Sequence, residues 1–354
     1  MTNRNIAFEA WRFIFILFMV LHHLDAFNGI DIPLFSENIK KFCVEGFSGV
    51  NFFFMLSGLG CVIGYKSRLE NQEISVKSFL YKRWLKIYPT YILFLITAVL
   101  LYNHGQITDF KKFTLHLLML QSLPLTENTA FGFNGVAWCI SSLMFFYLFF
   151  AATYKITLKE CLAYIAVLFV LIFTNIIYHN SNGNVMTSLF YTSPVFRLLD
   201  FLSGMALGLY FINHKPVRSS MLQAISVIVY IMFLCVGAYG NIPWIYKWGL
   251  YYLFPSALLI YSFYGKTTLS EKLFNHKFWL PLSSASVVIY LSHQEILNFI
   301  KMYMPSGLSK YFYEHFIPWS VICCLLIIVS ISVAINSIYA KPIYRKGNIL
   351  NEKV

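Results

Sequence analysis

The chain has 354 residues, of which 58% are hydrophobic and 19% aromatic but only 12% charged, against roughly a quarter charged in an ordinary soluble domain. This composition excludes a water-soluble enzyme. The formal charge of +12 does not indicate nucleic acid, because the cations sit in short connections between apolar blocks and do not coat one domain.

Apolar runs bounded by charges mark spans near residues 7–27, 44–65, 87–103, 135–154, 160–178, 190–212, 220–239, 248–264, 281–301 and 317–340. The expected fold is all-α: a polytopic membrane protein of about ten transmembrane helices. Residues 1–345 would form one transmembrane domain and 346–354 a short cytoplasmic tail. The first block follows Arg4 almost at once and runs into HHLDAFNG without a small-residue cleavage site, so it is expected to remain as a span. With the N-terminus in the cytoplasm, 18 of the 27 Lys and Arg residues fall on the inner side and seven, Lys247 among them, on the outer, with Arg12 and Arg197 inside spans. That asymmetry predicts two cytoplasmic termini. The segment 113–123 (FTLHLLMLQSL) is too short to cross and is assigned to the outer interface or a re-entrant turn. The seven cysteines lie mostly within apolar blocks, lack the paired spacing of a zinc site, and read as core residues. No metal site is expected.

An ionisable group inside a span costs about 2.5 to 3.5 kcal/mol and needs a partner or a role. The first span carries Glu9, Arg12, His22, His23 and Asp25. Arg12 and His23 are 11 residues apart, which at about 100° per residue places them on one face, some 16 Å apart along the axis. His22 lies about 80° off that line, so His23 is the histidine that shares a channel face with Arg12. The alternative is that these groups satisfy one another and snorkel to the two interfaces. In the second span, FFFMLSGLGCVIG holds Gly60 and Gly64, which, like Gly204 and Gly208 in SGMALG, are expected to admit close helix contact. The loop entering the third span ends in YKRWLKIYPTY, whose Lys82, Arg83 and Lys86 suit a polyanion at the cytoplasmic mouth, though such residues also serve as topological anchors. His104 and Asp109 form an H-x4-D spacing that a chain with nine histidines produces by chance. The sixth span carries Arg197 and Asp200 at i, i+3, suited to an ion pair. The ninth carries His293 and Glu295. Three spans thus bring His, Arg and carboxylate to a similar depth, as a buried proton-transfer site requires.

These residues resemble the acyltransferase 3 family of integral-membrane acyltransferases. Arg12 and His23 separated by ten residues, VNFFFMLSG (50–58) with Ser57, YKRWLKIYPTY, VAWCISSLMFFYLFF led by Trp138, FRLLDFLSGMALG and SSASVVIYLSHQEIL are similar to family segments and keep their order. The chain departs from the family pattern at Lys86 for Arg, at Leu143 where many relatives have Glu, and at Ala340 of AKP. The Leu143 difference points to Asp200 or Asp25 as the carboxylate.

The resemblance implies transfer of an acyl group, usually acetyl from cytoplasmic acetyl-CoA, to a hydroxyl of a cell-surface or lipid-linked glycan at the inner membrane. Acetyl-CoA would be a donor substrate and not a resident cofactor. His23, Arg12 and Asp200 would be catalytic, and Arg83, Lys86, Ser57, Trp138, Arg197 and His293 would bind substrates. The partners expected are acetyl-CoA, the glycan acceptor and the bilayer. Two alternatives remain open at this point: a transporter or glycan-export protein, and a transferase of the same fold using another donor such as succinyl-CoA. Carriers of this kind are expected to show paired Gly/Pro interruptions in two related halves, which the sequence lacks.

Overall fold

The computed structural model describes residues 5–26, 37–102, 107, 109–181, 188–303 and 317–345. The main helices are α1 (Ile6–Ala26), α2 (Glu37–Val44), α3 (Gly49–Cys61), α4 (Val76–Tyr102), α5 (Phe110–Leu117), α6 (Trp138–Thr153), α7 (Leu158–Ser181), α8 (Pro194–Asn213), α9 (Ser220–Tyr239), α10 (Leu253–Tyr264), α11 (Trp279–Ser284), α12 (Ser286–Tyr303) and α13 (Ile317–Ile335). No strand occurs among the described residues. In hydrocarbon, helices satisfy every backbone group within their own segment, and this chain is built accordingly.

Seven described helical segments are long and apolar enough to cross a membrane. The other three expected spans are broken or short, for physical reasons. α6 has 16 residues. α10 is preceded by a π-helical turn at Lys247–Tyr251. α12 begins only after a break at Ala285 and carries the polar run His293, Gln294 and Glu295. The segment 113–123 does not cross: α5 is an eight-residue helix capped by Asp109, which accepts the Lys112 amide at 2.8 Å. Asp109 therefore has an ordinary capping role, while His104 lies outside the described residues. Beyond α5 the chain turns into the bundle, where Gln121 Nε2 donates to the Ala137 carbonyl at 2.9 Å and Ser122 Oγ to that of Trp138 at 2.9 Å. The expected tail at 346–354 also lies outside the described residues.

The bundle is organised around α3 and α8, its most extensive helix pair. These two are mostly buried, whereas α7, α9 and α13 present apolar side chains outward, as lipid-facing helices do. Small residues set the approach. A Cβ on Gly204 would lie 1.8 Å from the Met55 carbonyl, and one on Gly58 would lie 2.0 Å from that of Phe201. A Cβ on Gly208 would meet Val62 at 2.8 Å, but at Gly60 and Gly64 it would find nothing within 4 Å. The close-packing glycine of this segment is thus corrected from Gly60 and Gly64 to Gly58. Gly60 is two residues further on, about 200° around the helix, and so faces away from α8. Phe146 fills the layer beside the contact, 5.0 Å from Phe54 and 5.1 Å from Phe201. Cys43, Cys61, Cys139 and Cys161 are buried, as core cysteines should be, but Cys323 is exposed, because the outward face of α13 needs only apolar character.

Candidate active site

Helix α1 runs along α11 and α12 in parallel. Near its start, Glu9 accepts from Ser283 of α11 and pairs with Arg12 at 3.0 Å. Near its end, His23 meets His293 of α12. Parallel alignment of the first and ninth expected spans requires an odd number of crossings between them.

The two imidazoles define each other's tautomers. His293 Nδ1 lies 3.0 Å from the Ile289 carbonyl, so this nitrogen carries the proton and Nε2 is the acceptor. His23 Nδ1 lies 2.9 Å from the Met19 carbonyl and 3.2 Å from His293 Nε2. Both neighbours are acceptors, so His23 Nδ1 carries the proton and its Nε2 holds the lone pair. This is the protonation pattern of a positioned base. His22 lies edge-on to His23, with ring centroids 4.7 Å apart, and its ring also lies 6.1 Å from that of Phe47. Around the histidines, Asn134 Nδ2 donates to Glu295 Oε1 at 2.9 Å and to the Leu291 carbonyl at 2.9 Å, and Tyr290 donates to the Val136 carbonyl at 2.7 Å. The segment before α6 is thereby fastened to the helix that carries His293.

The opposite end of the bundle holds Arg83. Its guanidinium lies 4.5 Å from the Tyr65 ring centroid, 5.1 Å from that of Tyr147 and 5.5 Å from that of Phe79, and Nη2 donates to Cys61 Sγ at 3.8 Å. No carboxylate pairs with Arg83 among the described residues, and its buried Nε finds no protein acceptor there. Tyr147 lies within electrostatic reach of Arg83, Arg12 and the Ser57 hydroxyl. Arg12 and Ser57 therefore lie, like Arg83, near Tyr147. Lys86 is exposed, within electrostatic reach of Cys61.

Arg197 and Asp200 form the expected i, i+3 pair at 2.9 Å, with both side chains almost fully buried. Asp200 also accepts from Asn51 Nδ2 at 3.0 Å, and Arg197 Nη1 donates to the Trp248 carbonyl at 2.6 Å. The pair thus ties α8 to α3 and to the π-helical turn before α10. Trp138 is buried with its ring 4.7 Å from Tyr191. Asp25, the other carboxylate considered, has a side chain outside the described residues.

A second buried ion pair escaped the sequence reading. Lys247, counted there as an outer-loop cation, is buried and donates to Glu45 at 2.6 Å and to the Gly237 carbonyl at 2.9 Å. Tyr252 donates to the other Glu45 oxygen at 2.5 Å. The available signal was an acid at the head of the second span and a lysine within the aromatic run WIYKWGLYYLF. Among the described residues no group of three His, Cys, Asp or Glu side chains is placed to share a metal ion.

A bundle of apolar helices with a polar, histidine-containing interior defines a multi-pass membrane protein with the elements of a transfer site. The family profile for the acyltransferase 3 group, described as an acyltransferase domain, matches residues 5–336 of the chain. The chain belongs to that family and is a membrane acyltransferase. No curated protein and no solved structure matches it significantly.

Proposed function

We propose that the protein is an inner-membrane O-acetyltransferase that moves acetyl from cytoplasmic acetyl-CoA to a hydroxyl of a cell-surface or lipid-linked polysaccharide. The observation that carries this reading is the His23–His293 contact, which leaves the lone pair of His23 on Nε2. His23 lies on the helix that also brings Arg12 within electrostatic reach of Tyr147, beside Arg83.

In this reading the acceptor hydroxyl gives its proton to His23 Nε2 as its oxygen attacks the thioester carbonyl. The carbon–sulfur bond breaks, the ester forms, and the sulfur leaves as the CoA thiol with the proton returned by the imidazolium. His293 holds the ring of His23. Arg83, with Arg12 and Lys86 beside it, binds the anionic phosphates of the donor. Ser57, near Tyr147 beside Arg83, and Trp138, packed on Tyr191, are the further substrate-binding residues in this reading. Asp200 and Arg197 hold the surrounding helices, and their contacts support a positioning role.

The test is acetyl-CoA-dependent ester formation on glycan in membranes that carry His23→Ala. Loss of ester from a well-inserted variant is expected, by about 100-fold or more, and normal ester yield would remove the mechanism. Glycan movement without acetyl-CoA consumption would replace the reading with transport, and ester formation only with succinyl-CoA would replace the donor.

A further inference from the structure

At the end of the bundle that holds the histidines, aromatic rings form a continuous track. Glu45 of this end and Cys61 beside Arg83 are 16 residues apart on one nearly unbroken helical path, about 24 Å along the axis. Phe47 is the hub: its ring lies 6.1 Å from His22, 5.6 Å from Trp244 and 6.3 Å from Tyr191. Trp244 lies 5.7 Å from Trp248, which lies 5.5 Å from Tyr191. The track begins in the open, with Trp244 42% exposed, and continues through the half-buried Trp248 and Tyr191.

We propose that Trp244, Trp248 and Tyr191 form the platform on which a saccharide ring of the acceptor stacks before its hydroxyl reaches His23. This rests on the reading of the protein as a transferase to a glycan. Aromatic faces are electron-rich and suit the C–H face of a sugar ring, while the ring's hydroxyls bond at the rim.

A simple lipid-interface belt needs little behind its rings, and this platform has a built support. Trp248 sits in the π-helical turn Lys247–Tyr251, Tyr191 in another at Ser188–Thr192, and the two turns face each other. Such turns concentrate at functional sites. Buried ion pairs grip the first turn from two sides: Lys247 is held by Glu45, and the Trp248 carbonyl by Arg197. The Lys247 ammonium also lies 4.1 Å from the ring centroid of Trp244, a favourable cation–π distance. The layer beneath Phe47 is polar too. Ser48, Asn51 and Tyr230 are buried there, and the Tyr230 hydroxyl lies within hydrogen-bonding reach of Ser48 and Ser256. These features suit a hydroxyl-rich ligand better than an acyl chain.

The test uses the full chain in detergent and, as probe, oligosaccharides released by mild acid from the host's own envelope polysaccharide. Trp248→Ala and Trp244→Ala are expected to raise the KM for these fragments by about tenfold or more with little change in the KM for acetyl-CoA, and Trp248→Phe is expected to recover most of the loss. An unchanged fragment KM in both folded alanine variants overturns the platform, as does an equal rise in both KM values. If the wild type transfers no acetyl group, thermophoresis of the same fragments decides separately. Binding to wild type that is lost in the alanine variants supports the platform even though the transferase reading has failed. Absence of binding to wild type overturns it.

Discussion

Arg197 and Arg83 both lie in apolar helices, and each guanidinium rests near a ring, 5.4 Å from the centroid of Phe54 and 4.5 Å from that of Tyr65 respectively. They differ in what answers the charge. Arg197 has Asp200 at 2.9 Å and the Trp248 carbonyl at 2.6 Å. Arg83 has three aromatic faces and a thiol, but no carboxylate among the described residues. A buried charge compensated within the protein serves the fold. One held by ring faces and a single thiol keeps most of its hydrogen-bonding capacity for an anion from outside, which is how a phosphate-binding arginine should be left.

The largest expected effect follows from the compensated arginine. Arg197→Met strands Asp200 in the core and should cost about 3 to 5 kcal/mol, seen as a lower midpoint in thermal unfolding of the purified protein in detergent. Arg197→Met combined with Asp200→Leu should recover much of that loss, because both charges are then gone. A single variant as stable as wild type would break the comparison.

His116 extends the comparison to a buried base that pairs with no acid among the described residues. It donates from Nε2 to the Thr129 carbonyl at 2.8 Å, and burial lowers its pKa from 6.5 to about 4. The folded state therefore favours the neutral ring, while the unfolded chain takes up a proton below 6.5. Stability from this group is complete above that pH and is lost as pH falls toward about 4, by about 3 kcal/mol in all. His116→Gln should flatten the dependence of the unfolding midpoint across that window; an equal slope in both proteins would assign the effect elsewhere.

The uncompensated arginine predicts a smaller, kinetic change. Arg83→Gln leaves no stranded carboxylate, so the protein should remain folded. The KM for acetyl-CoA should rise about 10- to 100-fold, as expected for loss of a charged hydrogen bond worth about 1.5 to 3 kcal/mol. A large drop in stability with an unchanged KM would make Arg83 a fold residue like Arg197.

What the sequence made legible follows periodicity and local spacing. The Arg197–Asp200 pair is an i, i+3 contact within one helix, and the shared face of Arg12 and His23 follows from helical geometry. The His23–His293 contact spans 270 residues, and only their similar expected depth suggested it. Glu45 and Lys247 are 202 residues apart, and Lys247 resembled a loop cation because charge tallies cannot see a π-helical turn fold a lysine inward. The aromatic cage of Arg83 was hidden for a related reason: Tyr65, Phe79 and Tyr147 come from three separate elements, and each alone reads as core.

The glycines test the division between a packed interface and an open helix face, with the smallest effects. Gly204 lies where α3 and α8 touch, and a methyl group there would strike the Met55 carbonyl. Backbone cannot yield as a flexible side chain does, so Gly204→Ala should destabilise by about 1 to 3 kcal/mol. Gly60 stands next to Cys61, the thiol that Arg83 contacts, yet nothing lies within 4 Å of its added Cβ. Gly60→Ala gains helix propensity without a clash and should stabilise by about 0.5 to 1 kcal/mol. Measured together by thermal unfolding, opposite signs would place a tight helix contact and an open face on the same pair of neighbouring helices. A loss in Gly60→Ala as large as that in Gly204→Ala would mean that the face beside Arg83 is closed by packing, which would count against the donor site proposed for it.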